Sequence, residues 1–311
     1  MRPLAAKYGT TAGLLLLLIL FSLMRPDTFF TISNMLMILK QGAILTMIAL
    51  GLTVVLTLQE FDLSIGFLAS FVGMITTGMM SFSHLPVPVA VIMGLVVGCA
   101  AGAINGLIVT LLRVPSLVAT LGTGSALIGA TFLYSKGAQI SSGIPSIYKT
   151  IGKGYVGGIP NLILIMVAFA ILLWILMNRV EAGRRMYAIG GNPNAAWLSG
   201  INLRKYRIFG FCISGFGAGL GGLCLAAMLG VGHPQAADGF LLDAFTAAFL
   251  GAVTLKEGEF HVIGTVIGVL ILSVTLNGLT MLGVEFYAQN VIKGLILIGA
   301  VALSRAGKTD V

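Results

Sequence analysis

The stretch EAGRRMYAIGGNPNAAWLSGINLRKYR, from Glu181 to Arg207, is the longest polar interruption in a chain that otherwise consists of long apolar runs. Within it, Asn192 followed by Pro193 has the pattern of a helix N-cap and first helical position, and Gly200 suits a left-handed turn at the helix end. This spacing predicts a helix of about two turns that lies outside the apolar runs.

The sequence around this stretch is too apolar for a soluble domain. Of its 311 residues, 58% are hydrophobic and 9% are charged, whereas about 25% are charged in a soluble domain. We therefore predict an all-α integral membrane protein, since about 20 apolar residues are needed to cross a bilayer as a helix. Ten apolar runs are predicted to span: 12–24, 33–58, 63–82, 88–112, 115–134, 161–178, 207–228, 240–255, 262–282 and 287–304.

Basic residues are distributed unevenly between the two sides that ten spans would define. Twelve of the 18 lysines and arginines fall on the side of the N-terminus, four fall on the other side, and Lys40 and Lys293 fall inside runs. Because cytoplasmic loops carry the excess of basic residues, we predict that both termini and the stretch after Asn178 are cytoplasmic. The net charge of +8 could suggest nucleic acid or acidic lipid, but in a membrane protein the distribution of charge is more informative than its sum, and no nucleic acid partner is predicted.

Several patterns that suggest enzymes are explained better by helix packing. Gly217, Gly219 and Gly222 have the GxGxxG spacing, but they lie inside an apolar run with no preceding strand. Small residues instead let membrane helices approach closely, as Gly98 and Gly102 also suggest. The cysteines have no metal-like spacing, and no cofactor, metal or ATP site is predicted.

The predicted two-turn helix is too short to be stable alone. One interpretation is that it packs against its own chain, and the other is that it docks on a partner protein. The adjacent Arg184 and Arg185, combined with the small side chains of Ala195 and Ala196, favour a partner.

The string GRRMYAIGGNPNAAWLSGINL resembles the cytoplasmic coupling segment of the ribose-type sugar permeases of bacterial ATP-binding cassette importers. The sequences DLSIG (62–66), VPSLVATLGTGSALIG (114–129) and DGFLLDAFTAAFLGAVTL (238–255) resemble further segments of that family. The resemblance runs from about Phe30 to Ser304. It implies a type II importer-like permease, a single transmembrane domain over 1–311 with a coupling segment at 179–207, in the bacterial inner membrane.

The resemblance also implies which partner proteins the chain has and which step each of them performs. A separate ATPase subunit would hydrolyse ATP, a periplasmic sugar-binding protein would deliver the sugar, and a second permease copy or close paralogue would complete the pathway within the lipid bilayer. This chain itself would not be an enzyme. The residues expected to couple to the ATPase are Arg184, Arg185, Gly191, Asn192, Pro193, Ala195, Ala196, Gly200 and Ile201.

Polar residues inside the runs are the candidates for the substrate pathway: Asn105, Thr120, Thr123, Asp243 and Asn277. An amide or carboxylate within a membrane helix needs a partner or a cavity, whereas threonines also bond to their own helix backbone. Asp243 either serves the pathway or only pairs with Lys293. Asp62 is predicted to be the N-cap of the third span.

The connection from Ser135 to Pro160 is the one long segment on the outer side. It contains Lys136, Lys149 and Lys153 and no acidic residue. It is either a solvated loop or a surface on which these lysines contact acids of the binding protein.

Two departures from the family pattern leave the sugar open. Gln59, Glu60 and Phe61 precede the DLSIG motif where relatives usually carry two glycines and an isoleucine, and Leu241 replaces a usual acid. A rival hypothesis is a secondary transporter or channel for small polar solutes that works without ATP. It requires an intramembrane ion relay, and one aspartate and one lysine within the apolar runs provide few ionisable groups for such a relay.

Overall fold

The computed structural model describes residues 4–254 and 258–306, with side chains described over 10–254 and 258–302. Within these residues the chain forms thirteen α-helices and one short hairpin. They are α1 (Leu4–Met24), α2 (Ile32–Thr57), α3 (Ile65–Ser81), α4 (Val87–Leu111), α5 (Ser116–Ser135), α6 (Ser146–Lys153), β1 (Tyr155–Val156), β2 (Ile159–Pro160), α7 (Asn161–Asn178), α8 (Glu181–Gly191), α9 (Pro193–Leu198), α10 (Leu203–Leu229), α11 (Phe240–Ala252), α12 (Val262–Met281) and α13 (Phe286–Ala306).

Each of the ten predicted apolar runs coincides with one helix, and the bounds differ by only a few residues at most ends. The eighth run was predicted to reach Leu255, which lies outside the described residues. Among the described helices, α2, α4, α5, α7, α10 and α12 are long and apolar enough to cross a membrane. The apolar parts of α1, α3, α11 and α13 are shorter.

Helix α10 lies at the centre and packs against α2, α3, α4 and α6. Its contact with α4 depends on glycine, as the sequence predicted. A Cβ atom on Gly98 would lie 2.7 Å from the carbonyl oxygen of Gly215, and one on Gly106 would lie 2.7 Å from the Cα of Ile208. Because these neighbours are backbone atoms or close to them, only glycine permits this interhelical approach.

The connection between α5 and α7 is more ordered than a solvated loop. Helix α6 packs across the end of α10, where the buried Tyr148 donates a hydrogen bond to the carbonyl of Leu223 at 2.7 Å. The following hairpin pairs Tyr155 with Pro160. Helix α6 is not predicted by the sequence pattern, because a helix of eight residues has too few turns to show a clear period.

Candidate functional site

The predicted two-turn helix is present as α9, and both of its predicted ends are confirmed. The side chain of Asn192 accepts a hydrogen bond from the backbone N–H of Ala195 at 3.0 Å, and Pro193 occupies the first helical position. At the other end Gly200 has φ of +78°. The N–H of Gly200 donates to the carbonyl of Trp197 and that of Ile201 donates to Ala196, which together form a Schellman motif.

A second helix, α8, precedes α9 and fixes the whole coupling segment to the body of the protein. Met186 and Ile189 are fully buried. A Cβ atom on Gly190 would collide with the carbonyl oxygen of Thr57, the last residue of α2. This contact places α8 directly against the end of α2.

The two predicted coupling arginines have different environments. Arg185 donates to the Tyr206 hydroxyl of α10 at 2.8 Å and forms an ion pair with Glu181. Arg184 is exposed, and it donates only to the carbonyl of Arg179 at 3.3 Å among the described residues. Arg185 therefore ties α8 to α10, whereas Arg184 remains accessible to a partner.

The exposed face of α9 differs from the expected small-residue surface. Ala196 is 4% exposed and belongs to the main hydrophobic core, so its small side chain packs against the protein itself. Trp197 and Leu198 are 66% and 78% exposed, while Ala195 and Gly191 are also exposed. A large apolar side chain on a rigidly capped helix is typical of an interface anchor.

Tyr187 of α8 connects the coupling segment to the chain that precedes α12. Its hydroxyl donates to the carbonyl of Phe260 at 3.2 Å, and the hydroxyl of Thr57 also donates to that carbonyl at 3.3 Å. Burial, together with the negative charge of Glu259, raises the pKa of Tyr187 to about 12. A phenol is protonated at neutral pH in any case, and the raised pKa keeps Tyr187 a donor in alkaline solution as well.

The ring of Phe260 lines a cavity of about 450 Å³, which we call the aromatic cavity. Its phenylalanines form a connected series, with ring centroids 6.4 Å apart for Phe61 and Phe245, 6.4 Å for Phe245 and Phe249, and 5.2 Å for Phe249 and Phe260. The polar side chains on its wall include Gln59 and Glu60. Apolar and aromatic walls with a few polar groups are typical of small-molecule sites.

Residues 58–64, which we call the corner, join α2 to α3 and supply one wall of the aromatic cavity. Asp62 in the corner is fully buried. Its carboxylate accepts hydrogen bonds from the backbone N–H of Ser64 at 3.0 Å, the hydroxyl of Ser64 at 2.6 Å and the hydroxyl of Ser214 at 2.8 Å. Ser214 lies eleven residues into α10, or about 16 Å along that helix, so the corner reaches deep between the helices.

The prediction that Asp62 caps the third span was wrong. Helix α3 begins at Ile65, its N-cap is Ser64, and no side chain caps it. Instead, Asp62 orients Ser64 and anchors the corner to α10. The reason is that a chain that turns within a packed interior must satisfy its polar backbone groups locally.

Three of the predicted pathway residues surround this corner. Asn105 donates to the hydroxyl of Ser64 at 2.9 Å and accepts from Thr123 at 2.6 Å. Thr120 accepts from the backbone N–H of Leu63 at 3.0 Å. These side chains bind the corner to α4 and α5, and none of them is on the wall of the aromatic cavity.

The other two predicted pathway residues lie elsewhere. Asp243 pairs with Lys293 at 2.9 Å between α11 and α13, as one of the two interpretations expected. Asn277 exchanges amide hydrogen bonds with Asn34, each at 3.0 Å. Asn34 lies near the start of α2, about 35 Å along that helix from Thr57, so the structure separates Asn277 from the corner.

The three predicted binding-protein lysines lie at the α5–α6 region. Lys136 ends α5 with φ of +52° and is exposed. Lys149 and Lys153 are one turn apart on α6 beside Gly230, and Lys153 is exposed while Lys149 is half-buried. The three residues therefore belong to one end of the molecule, opposite to the end that carries α9.

Sequence reasoning missed the roles of Ser64, Ser214, Tyr187 and Phe260. Serine and tyrosine in long apolar stretches carry no local pattern, and their roles depend on which helices become neighbours. One available signal was the acid at Asp62, since a carboxylate between two apolar runs requires nearby donors.

The chain resembles known permeases over nearly its whole length. The family model described as "Branched-chain amino acid transport system / permease component" matches residues 34–301. The ribose import permease protein RbsC of Haemophilus influenzae is 36% identical over 93% of this chain and 90% of its own length. The D-allose transport system permease protein AlsC of Escherichia coli is 34% identical over 96% and 91%, respectively.

A third relative aligns over a comparable share of the chain. The galactose/methyl galactoside import permease protein MglC of Escherichia coli is 32% identical over 96% of this chain and 94% of its own length. No solved structure matches the chain. The three relatives are therefore similar to this chain along nearly its full length, including the segment with α8 and α9.

Proposed function

We infer that this chain, which belongs to the family of branched-chain amino acid transport system permease components, is the membrane-spanning permease subunit of a bacterial ATP-binding cassette importer for a sugar. The relatives that match along nearly the full length are named for ribose, allose and galactose, which favours a sugar over an amino acid. The protein is a multi-pass protein of the inner membrane. An ATPase subunit and a solute-binding protein are its partners.

The proposed topology has ten spans within one permease domain, 1–311, and both termini in the cytoplasm. It is supported by the coincidence of all ten apolar runs with helices and by the excess of basic residues on one side. The shorter helices α3 and α11 cross together with the non-helical segments that precede them. The coupling segment, 179–207, is then cytoplasmic.

The observation that carries the proposal is the exposed Trp197 and Leu198 on a helix that is fixed to the rest of the chain. We propose that α9 docks in a groove of the ATPase, with Arg184 paired to an acid there. Asn192, Pro193 and Gly200 hold the shape of α9. The remaining predicted coupling residues stabilise the conformation of α8 and α9 through side-chain packing or backbone conformation: Arg185, Gly191, Ala195, Ala196 and Ile201.

The contacts of α8 suggest how docking reaches the solute. Movement of the ATPase would displace α8, which is tied to α2 through Gly190, to α10 through Arg185, and to the aromatic cavity through Tyr187. ATP binding on the partner would thereby change the width of the cavity. This is the alternating-access behaviour expected of a transporter, and it requires no catalytic residue in this chain.

We propose that a second permease copy forms the other half of the pathway. Large exposed apolar side chains on α5 and α13, such as Leu121 and Leu295, give a face against which a copy packs. The aromatic cavity, with wall residues from α5, α11 and α13, then forms the inner part of the pathway. Thr120, Thr123 and Asn105 hold its corner, while Asp243 and Asn277 fix the surrounding helices.

Uptake into proteoliposomes tests this function. The permease is reconstituted with its ATPase and binding protein, and entry of labelled ribose, allose and galactose is measured with and without ATP on the ATPase side. We expect one sugar to accumulate only when ATP and the binding protein are both present. Accumulation driven by an ion gradient without ATP would contradict the proposal and support a secondary transporter.

A further inference from the structure

A second cavity, of about 460 Å³, lies where α4 ends and where α5 and α10 begin. Three arginines line it: Arg113, Arg204 and Arg207. The acid on its wall is Glu60, whose carboxylate lies 3.1 Å from the Nε atom of Arg207. Within the described part of the chain, Arg113 and Arg204 have no carboxylate partner, so the cavity carries a formal charge of about +2.

The backbone at Arg113 indicates that this charge is placed at a cost. Arg113 has φ of +56° and follows Leu112, the C-cap of the helix that ends at Leu111. Glycine or asparagine is the usual residue in this left-handed position, and other residues there are strained. Arg113 thus holds its guanidinium at the cavity in a backbone conformation that arginine adopts less readily than glycine.

Beside the cavity is an exposed apolar surface. Leu111 and Leu112 at the end of α4, and Val118 in the first turn of α5, are between 50% and 70% exposed. Arginines at the edge of such a surface are arranged as at a membrane interface, with the charge in the polar layer and the apolar side chains against acyl chains. A soluble anion would need the arginines but not the apolar surface.

We propose that this arginine cavity binds the phosphate of an anionic phospholipid headgroup, with the acyl chains against the apolar surface formed by residues 111, 112 and 118. Arg113 and Arg204 hold the phosphate, and Glu60 weakens binding by neutralising Arg207. The site goes beyond the transport function proposed above. It depends only on the position of these helix ends at the membrane surface.

The test measures binding of fluorescent phosphatidylglycerol to the purified permease in phosphatidylcholine nanodiscs. Each basic residue close to an anionic headgroup contributes about a fivefold factor in affinity. We therefore expect the Arg113→Gln, Arg204→Gln double variant to bind about 25-fold more weakly. Glu60→Gln should bind about fivefold more tightly, because Arg207 is released. Arg25→Gln, which removes an exposed charge in the connection between α1 and α2, should bind like the native protein.

The double arginine variant should bind the lipid more weakly and Glu60→Gln should bind it more tightly. Misfolding cannot explain both effects, because an unfolded variant does not gain affinity. Native-like binding by the double variant, or weaker binding by Glu60→Gln, would overturn the proposal. Displacement of the lipid by inorganic phosphate alone at equal concentration would identify a free-phosphate site instead. Retention of the ATPase subunit that is lost in the double variant, together with unchanged lipid binding, would identify the cavity as a surface for acidic side chains of the ATPase, and it too would overturn the proposal.

Discussion

The bond between Asp62 and Ser214 should contribute strongly to stability, and a double-mutant cycle measures it. Asp62 is fully buried, and its carboxylate accepts three hydrogen bonds. Asp62→Ala leaves the N–H of Ser64 without its acceptor, so we expect a loss of about 2–4 kcal/mol in the free energy of unfolding. Ser214→Ala removes one bond to a carboxylate and should cost about 1.5–3 kcal/mol.

The two effects should not add, because they remove the same bond. The double variant should be about 1–2 kcal/mol more stable than the sum of the single effects predicts. Denaturant titration in detergent micelles provides the free energies. Ser125→Ala is the matched control, since this serine is exposed and donates within its own helix, to Leu121, and it should change stability by less than about 0.5 kcal/mol. Additivity of the Asp62 and Ser214 effects would refute the assigned bond.

Two further predictions concern the coupling segment. Tyr187→Phe removes the donor to the Phe260 carbonyl, a bond of about 1 kcal/mol. The variant should lower stimulation of ATP hydrolysis by the sugar-loaded binding protein about fivefold while the ATPase stays bound. Unchanged stimulation would show that Tyr187 takes no part in coupling. Gly190→Ala places a Cβ against the Thr57 carbonyl and should destabilise by about 1–3 kcal/mol in denaturant titration. Gly191→Ala, whose Cβ meets open space, should change little, and equal effects of the two would contradict the contact.

The sequence predicts the helices of this protein well because the bilayer imposes a simple rule. A spanning helix needs a long apolar run, and polar residues such as those at 25–31 interrupt the runs clearly. The cap of α9 is equally local, since Asn192, Pro193 and Gly200 each determine the backbone within a few residues. These features do not depend on which helices become neighbours.

The site depends on neighbours, and there the sequence was less informative. Whether Ala196 faces the partner or the core depends on how α9 lies on α10, which no residue of α9 specifies alone. Asn277 looked equivalent to Asn105 in sequence, yet one pairs with Asn34 and the other holds the corner. The hydrogen-bond partners of buried polar side chains are determined by long-range packing. The sequence therefore shows that such a side chain needs a partner, but it does not show which residue that partner is.

Copurification with the ATPase tests the central claim most directly. Native permease and an Arg184→Glu, Trp197→Glu variant are isolated from membranes that contain the ATPase, and the retained ATPase is quantified. Since both side chains are exposed, the variant should unfold at the same denaturant concentration as the native protein, yet lose the ATPase. Lys136→Glu, at the opposite end, should retain it. Equal retention by the Arg184→Glu, Trp197→Glu variant would contradict docking through α9, as would native permease that binds no ATPase and still transports sugar.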